Sequence, residues 1–215
     1  YEHIEPEEVG NSRNIIISDQ AGQSNIMSRL KSIGVQIEKN DPKIKKLLDE
    51  VKDREFIGYS YDGADASFEL LARRLIGEIP RYISINEYDV SVRKDSLGDI
   101  VSHAKAQLEV DGEKILCEGE GNGPVHALDN AIRKNVNKLA KYSDYLKDLK
   151  LVDYKVRILN TGTEAVTRVS IESTDSKGKN WFTIGVSTNI IEASFKALVD
   201  SLDYKLFKDN APASK

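Results

Sequence analysis

The amino-acid sequence predicts an α+β protein in which a helical connector, residues 1–80, precedes a duplicated βββα domain, residues 81–208, with approximate twofold symmetry. Three observations predict this class. Apolar residues recur at helical spacing in the first third of the chain, and a period-two alternation replaces that spacing after Pro80. The second half of the chain also matches itself when it is shifted by 66 positions.

The connector contains start and stop signals for three short helices. Asp41-Pro42 combines a capping side chain with proline at the first helical position, so a helix should begin there. An earlier helix is expected to begin at Ser24, and a third should cover residues 65–76. These helices are too small to predict an independent domain, and we interpret them as a link to a preceding region.

The internal repeat superposes strand residues, turn glycines and helix alanines without a gap. The matched pairs are Tyr88 with Tyr154, Gly112 with Gly178, Gly119 with Gly185, and Ala127 with Ala193. We therefore expect one βββα unit over about 82–142 and a second over about 148–208.

Each unit has the same predicted order of elements. In the first unit, Asp111-Gly112 lies between two alternating segments and indicates a tight hairpin, because a primed turn requires positive φ angles. A glycine-rich corner then leads from the third strand into a helix that begins near Pro124. The last residues, 209–215, are expected to form a disordered tail.

Composition excludes several function classes. The net charge of −4 argues against nucleic-acid binding, and no apolar run approaches the roughly 20 residues of a membrane span. The single cysteine, Cys117, fits a reducing cytoplasm. With only three histidines and no His-x-His pair, no catalytic metal site is expected in this chain.

Two other binding modes are weighed against the glycine-rich corner. Gly119-x-Gly121-x-Gly123 is close to a nucleotide-binding loop, but it follows an antiparallel meander instead of a βαβ unit. The βββα order also occurs in double-stranded-RNA-binding modules, which need basic residues at a helix start. Neither 123–126 nor 188–192 contains Lys or Arg, so this alternative is weak.

Three segments together resemble a known family. The segment 120–132 contains Gly-Asn-Gly-Pro-Val-His-Ala and resembles the G-x-G-P-V-x-A motif in the regulatory domain of 2-isopropylmalate and citramalate synthases. The segment 185–198 is similar to the start of that domain's second helix, and 58–70 is most similar to the citramalate-synthase branch. One departure is His126, where family members often carry Asp or Asn.

The resemblance implies a parent enzyme that condenses acetyl-CoA with a 2-oxo acid. Its divalent metal and acetyl-CoA would bind a catalytic barrel that this chain lacks, so the chain alone should be inactive. In the family, a tyrosine just after the barrel helps to complete the partner subunit's active site. The resemblance implies this position for Tyr1, and the alternative is a terminal tyrosine with no such role. The implied partners are a second copy of the chain, its own barrel, and isoleucine, or else leucine, as a feedback inhibitor.

A candidate effector site follows from the helix starts and from this resemblance. Unpaired N–H groups at a helix start favour a carboxylate, and a glycine without Cβ permits close approach. The predicted site residues are Asn122, Gly123, Pro124, Val125, His126, Leu151, Tyr154, Thr188, Asn189 and Ile190. The same residues could serve packing alone, so a purely structural dimerisation domain remains an alternative.

Overall fold

The computed structural model describes residues 22–38, 41–94, 96–135, 138, 140–160, 162 and 165–215. The helices are α1 (Gln23–Ser32), α2 (Pro42–Phe56), α3 (Asp65–Ile76), α4 (Pro124–Arg133), α5 (Ser143–Leu146) and α6 (Ile190–Lys208). The strands are β1 (Ser84–Lys94), β2 (Ile100–Val110), β3 (Glu113–Gly121), β4 (Lys150–Ile158), β5 (Thr167–Thr174) and β6 (Asn180–Ser187). Strands β1–β3 and β4–β6 form two antiparallel sheets, which confirms the α+β class and the duplicated βββα order.

The three helices predicted in the connector are present, with bounds close to the predicted ones. The Asp41 side chain caps α2 by accepting a hydrogen bond from the Lys43 N–H at 2.8 Å. Helix α3 covers the predicted span and ends at Gly77, whose φ of 81° is accessible to glycine at low cost. Helix α1 begins one residue before the predicted cap, at Gln23, with Gly22 at the N-cap position.

The repeat is real, but its middle strand is offset by one residue. Val92 pairs with Ser102 in the first sheet, whereas Ile158 pairs with Thr167 in the second. The shift is therefore 66 positions for the first strands and 65 for the second strands. The hairpins compensate: Asp111-Gly112 forms the tight turn of the first sheet, with φ of 53° and 80°, and 175–179 form a longer loop in the second.

Each helix packs very closely on the third strand of its own unit. A Cβ at Gly119 would lie 2.6 Å from the carbonyl oxygen of Ala127, and a Cβ at Gly185 would overlap the carbonyl oxygen of Ala193. These glycines and alanines are repeat equivalents. Gly119 and Gly185 therefore match in the repeat because a helix lies too close to each strand for a side chain larger than hydrogen.

The two units share one core through reciprocal contacts. Tyr88 of β1 stacks on Phe195 of α6 with ring centroids 4.5 Å apart, and its hydroxyl donates to Glu192 at 2.6 Å. Conversely, Leu151 of β4 borders a small cavity together with Ile132 of α4. The first strand of each unit thus contacts the helix of the other unit.

The connector packs on the second unit. The backbone N–H of Ile184, on edge strand β6, donates to the Ser67 hydroxyl at 3.0 Å, and that hydroxyl donates to Asp200 at 2.9 Å. Arg74 of α3 binds Asp200 at 2.8 Å and Asp203 at 2.7 Å, both on α6. Helix α3 therefore covers an edge that would otherwise expose unpaired backbone groups.

The carboxy-terminal residues 209–215, which the sequence predicts to be disordered, are held against the first unit. The Tyr142 hydroxyl donates to the Pro212 carbonyl at 2.9 Å, and the Ser214 N–H donates to the Arg81 carbonyl at 2.8 Å. The expectation of a disordered tail is therefore corrected. The sequence could not indicate these hydrogen bonds, because the partner residues lie far away along the chain.

Candidate functional site

The inner face of each sheet, which its helix covers, is open at one end. Val92 on β1 is 58% exposed, and Val156 and Ile158 on β4 are 42% and 67% exposed. Their cross-strand partners on β2 and β5 are buried on the helix-covered face, which places the exposed residues on that same face. Large apolar side chains are therefore left uncovered at the ends of β1 and β4.

These open ends lie beside the helix starts. Strand β3 ends at Gly121, opposite Ser102, which itself pairs with Val92, and α4 begins three residues later at Pro124. In the second unit, β6 ends at Ser187, opposite Thr167, and α6 begins three residues later at Ile190. The Ile190 side chain is 42% exposed. Each open end thus combines an apolar surface with helix N–H groups.

The two helix starts differ in capping. The Asn189 side chain accepts from the N–H groups of Ile191 and Glu192 at 2.8 and 3.3 Å, which satisfies the start of α6. Gly123 at the start of α4 provides no side-chain cap. The α4 start is therefore the better candidate for a carboxylate, since its first N–H groups lack such a partner.

The glycine-rich corner contains two glycines with different roles. A Cβ at Gly121 would lie 2.6 Å from the Ala127 backbone nitrogen, so helix packing already requires this glycine. A Cβ at Gly123 would meet no protein atom within 4 Å. Only Gly123 leaves open space in which a ligand could approach the backbone. His126 turns back on this corner, where its Nδ1 accepts from the Asn122 N–H at 3.3 Å.

Tyr154 and Leu151 both pack on the buried cluster that contains Val169 and Ile171, but they lie at different points along β4. The Tyr154 hydroxyl is 2.8 Å from the Ser194 hydroxyl in the second turn of α6, and its ring packs on buried Val169 and Ile171. Burial raises the pKa of Tyr154, and the hydrogen bond to Ser194 offsets part of that rise. Leu151 lies at the opposite end of β4 from Ile158, against the later part of α4.

Within one chain, the structure brings together only part of the predicted site. Tyr154 is joined to the beginning of α6, next to residues 188–190. Across the described ranges, no hydrogen bond links the 122–126 segment to Tyr154 or to 188–190. Tyr1, the candidate accessory catalytic residue, lies outside the described residues.

Sequence reasoning missed the polar partners of the two tyrosines. The repeat match of Tyr88 with Tyr154 indicated a shared packing role, but both hydroxyls bind the same helix, through Glu192 and Ser194. Burial, together with the neighbouring carboxylate of Glu192, raises the pKa of Tyr88. No local motif marks Glu192 or Ser194, because each contact joins distant parts of the chain.

The described residues offer no candidate site for a metal ion and no candidate membrane span. None of their groups of His, Cys, Asp and Glu has an arrangement that could hold a metal ion. None of the described helices is both long enough and apolar enough to cross a membrane.

Known proteins with similar sequences include (R)-citramalate synthases and a probable 2-isopropylmalate synthase. The chain is 48% identical over 214 residues to the (R)-citramalate synthase of Aquifex aeolicus, a match that covers 97% of this chain and 39% of that protein. It is 41% identical over 211 residues to the (R)-citramalate synthase of Geobacter sulfurreducens, with coverage of 97% and 39%. Identity to a probable 2-isopropylmalate synthase of Methanopyrus kandleri is 26% over 206 residues, with coverage of 93% and 38%.

These matches locate the chain within larger proteins. The chain spans about two fifths of the length of the curated relatives that it matches. The family model of the LeuA allosteric (dimerisation) domain matches residues 62–206, which include α3 and both βββα units except the last two residues of α6. The chain therefore belongs to the family of LeuA allosteric (dimerisation) domains.

Proposed function

We propose that this chain is the regulatory and dimerisation region of a citramalate synthase that condenses acetyl-CoA with a 2-oxo acid. The higher identity to (R)-citramalate synthases, 48% against 26% for the 2-isopropylmalate synthase, supports that branch. The condensation, with its divalent metal, belongs to a catalytic domain outside this chain. The chain itself binds isoleucine, or in second place leucine, as the feedback inhibitor.

One observation carries the proposal: an uncapped helix start lies beside apolar strand ends that none of the described residues covers. A second copy placed against these ends would bury Val92, Val156 and Ile158. It would also enclose the open space at Gly123. The dimer interface and the effector pocket are therefore proposed to be the same region.

The chemistry of this region suits a branched-chain amino acid. The N–H groups at the start of α4 would bind the carboxylate, where the helix dipole favours negative charge. Val156 and Ile158 of the partner subunit, or Val125 of the same chain, would contact the branched side chain. The effector alters catalysis only if it binds one arrangement of the dimer more tightly than another.

The direct test is isothermal titration calorimetry of the chain with isoleucine, leucine and valine in turn. We expect saturable binding of isoleucine. Gly123→Ala should weaken binding by about tenfold without loss of stability, because the added methyl group meets ligand but no protein atom. Tyr88→Phe is the matched control, since its hydroxyl binds Glu192 away from the proposed carboxylate site.

The main alternative is a dimerisation domain that binds no effector. A folded dimer that binds none of the three amino acids would favour that alternative. Tighter binding of leucine than isoleucine would instead move the assignment to the 2-isopropylmalate synthase branch.

A further inference from the structure

The outer faces of the two sheets, which point away from α4 and α6, differ in how their basic residues are paired. On the first sheet, Lys105 of β2 binds Glu118 of β3 at 2.9 Å, and His103 lies 3.3 Å from Glu120. Each basic residue thus has a carboxylate directly across from it on the next strand. The first outer face is a set of solvent-exposed pairs.

The corresponding positions of the second sheet lack those carboxylates. Arg168 on β5 takes the place of His103, and its cross-strand neighbour on β6 is Val186, which is buried beneath the connector. On its other side Arg168 pairs with Arg157 of β4. Like charges directly opposite each other in a sheet are destabilising. Burial first, and then the charge of Arg157, lowers the pKa of Arg168.

The connector holds the Arg168 side chain by hydrogen bonds but provides no carboxylate to balance its charge. Its Nε donates to the Gly58 carbonyl at 2.6 Å, and an Nη donates to the Tyr59 carbonyl at 3.5 Å. These are uncharged acceptors. Over the part of the chain that the structure describes, neither Arg157 nor Arg168 forms an ion pair with a carboxylate.

The two arginines border a cleft between the connector and the outer face of the second sheet. Its volume is about 490 Å³, which lies within the range of small-molecule sites. The polar lining consists of Ser60, Asp62, Lys155, Arg157, Arg168 and Ser170. Lys155 is already paired with Asp153 at 2.6 Å, which leaves the two arginines as the cations without an anionic partner.

We propose that this cleft binds the phosphate group of a small phosphorylated molecule. The Arg157 guanidinium can donate two parallel hydrogen bonds to phosphate oxygens, and Arg168 can add the N–H groups that its bonds to Gly58 and Tyr59 leave over. The hydroxyls of Ser60 and Ser170 can donate to the remaining oxygens. A phosphate would remove the repulsion between Arg157 and Arg168. Asp62 can accept a hydrogen bond from a ligand hydroxyl, so a phosphorylated alcohol such as a nucleotide fits better than phosphate alone.

Such a ligand would join two parts of the fold. Ser60 and Asp62 belong to the connector, whereas Arg157, Arg168 and Ser170 belong to the second sheet. Bound phosphate would therefore stabilise the packing of the connector on the second unit. The cleft shares Val156 with the proposed dimer interface but not the start of α4, where the effector carboxylate would bind. Loss of phosphate binding in an Arg157 variant and loss of isoleucine binding in Gly123→Ala are therefore separate outcomes.

The test is titration of the 215-residue chain with inorganic phosphate and, separately, with AMP, by calorimetry and by thermal unfolding. We expect saturable binding, with AMP tighter than phosphate, and a rise in melting temperature at saturation. Arg157→Gln should weaken binding at least about tenfold, since a charge-assisted contact is lost. Arg93→Gln, an exposed arginine on the outer edge of the first sheet, should leave binding unchanged.

Folding of the variants is checked without ligand. Because Arg157 is exposed and opposes a like charge, Arg157→Gln should melt no lower than the unmodified chain. Ser170→Ala provides a second, milder variant that should also weaken phosphate binding. Absence of saturable binding of both probes, or equal affinity in Arg157→Gln, overturns the proposal. Binding of an acidic peptide with no binding of phosphate or AMP also overturns it, in favour of a protein partner.

Discussion

The two βββα units share a topology but differ in what surrounds them. The first has a ten-residue helix, α4, and an outer face of exposed charge pairs. The second has a nineteen-residue helix, α6, and an outer face partly buried under the connector. Duplication has preserved the contacts within each unit, whereas the surfaces have diverged so that the described helix α3 of the connector packs mainly on the second unit.

The difference is greatest near the end of α6, where a lysine is buried among carboxylates. Lys205 is 2% exposed and binds Asp209 at 2.6 Å and Asp175 at 2.9 Å, with Asp148 at 3.4 Å. The repeat-equivalent position of the first unit is Leu139. The second unit therefore joins its helix, its long hairpin and the segment before β4 through charge.

The largest effect is expected from Lys205→Met. Removal of one partner from a buried ionic cluster leaves the others uncompensated, so we expect a loss of about 3–5 kcal/mol in the free energy of unfolding. Urea denaturation monitored by circular dichroism measures this. Lys177→Met is the control: its ammonium binds the same Asp209 but is half exposed, and its loss should cost less than about 1 kcal/mol. Equal effects of the two variants would show that burial does not distinguish these lysines.

The next largest effect tests what the two units have in common. Gly119→Ala and Gly185→Ala should each lower the free energy of unfolding by about 3 kcal/mol, because the new methyl group overlaps the helix backbone. Gly123→Ala, with open space around its Cβ and φ of −157°, should have little effect on stability. If only one of the first two variants is destabilised, the close approach of helix to strand is not shared by the two units.

A smaller effect concerns pH. Burial alone would raise the pKa of Asp175, but hydrogen bonds from Lys205 and from the Lys179 N–H outweigh it, so the pKa lies below its usual value. The same balance, with Lys177 and Lys205 as donors, lowers the pKa of Asp209. Their contribution to stability is therefore complete above the unfolded-state pKa of about 4 and is lost as pH falls below it.

Urea midpoints at about pH 7 and about pH 3 measure this loss. Lys205→Met should reduce the difference between the two midpoints, because it removes the hydrogen bonds that lower these pKa values. An unchanged difference in the variant would assign the acid sensitivity to other carboxylates.

The sequence predicted features that depend on local backbone chemistry. Asp41-Pro42 at a helix start and Asp111-Gly112 in a turn need only their own dihedral preferences. The offset of β5 could not be predicted from an ungapped repeat. The paired residues Ile158 and Thr167 are one position closer in sequence than Val92 and Ser102, and the longer hairpin that follows restores the overall shift. The arginine pair was missed for another reason: only the register of the second sheet shows that Arg157 lies opposite Arg168, and that Val186 instead of a carboxylate is the other neighbour of Arg168.

The predicted effector site illustrates the same limit. Gly121 and Gly123 look alike in sequence, but helix packing requires the first and leaves the second open. Tyr154 reaches the start of its own helix, whereas the 122–126 segment remains apart from it within one chain. Proximity of these groups depends on a second copy, which a single sequence does not place.

The central claim is that a second copy covers the open apolar ends of β1 and β4. Sedimentation velocity of the Val92→Glu/Ile158→Glu double variant tests it most directly. We expect a dimer for the unmodified chain and a folded monomer for the variant, because the new carboxylates would be buried without partners. Leu116→Glu is the control, since Leu116 is 57% exposed but lies on the outer face of the first sheet, and this variant should remain dimeric. A double variant that stays dimeric, or a Leu116→Glu variant that dissociates as readily, would contradict the claim.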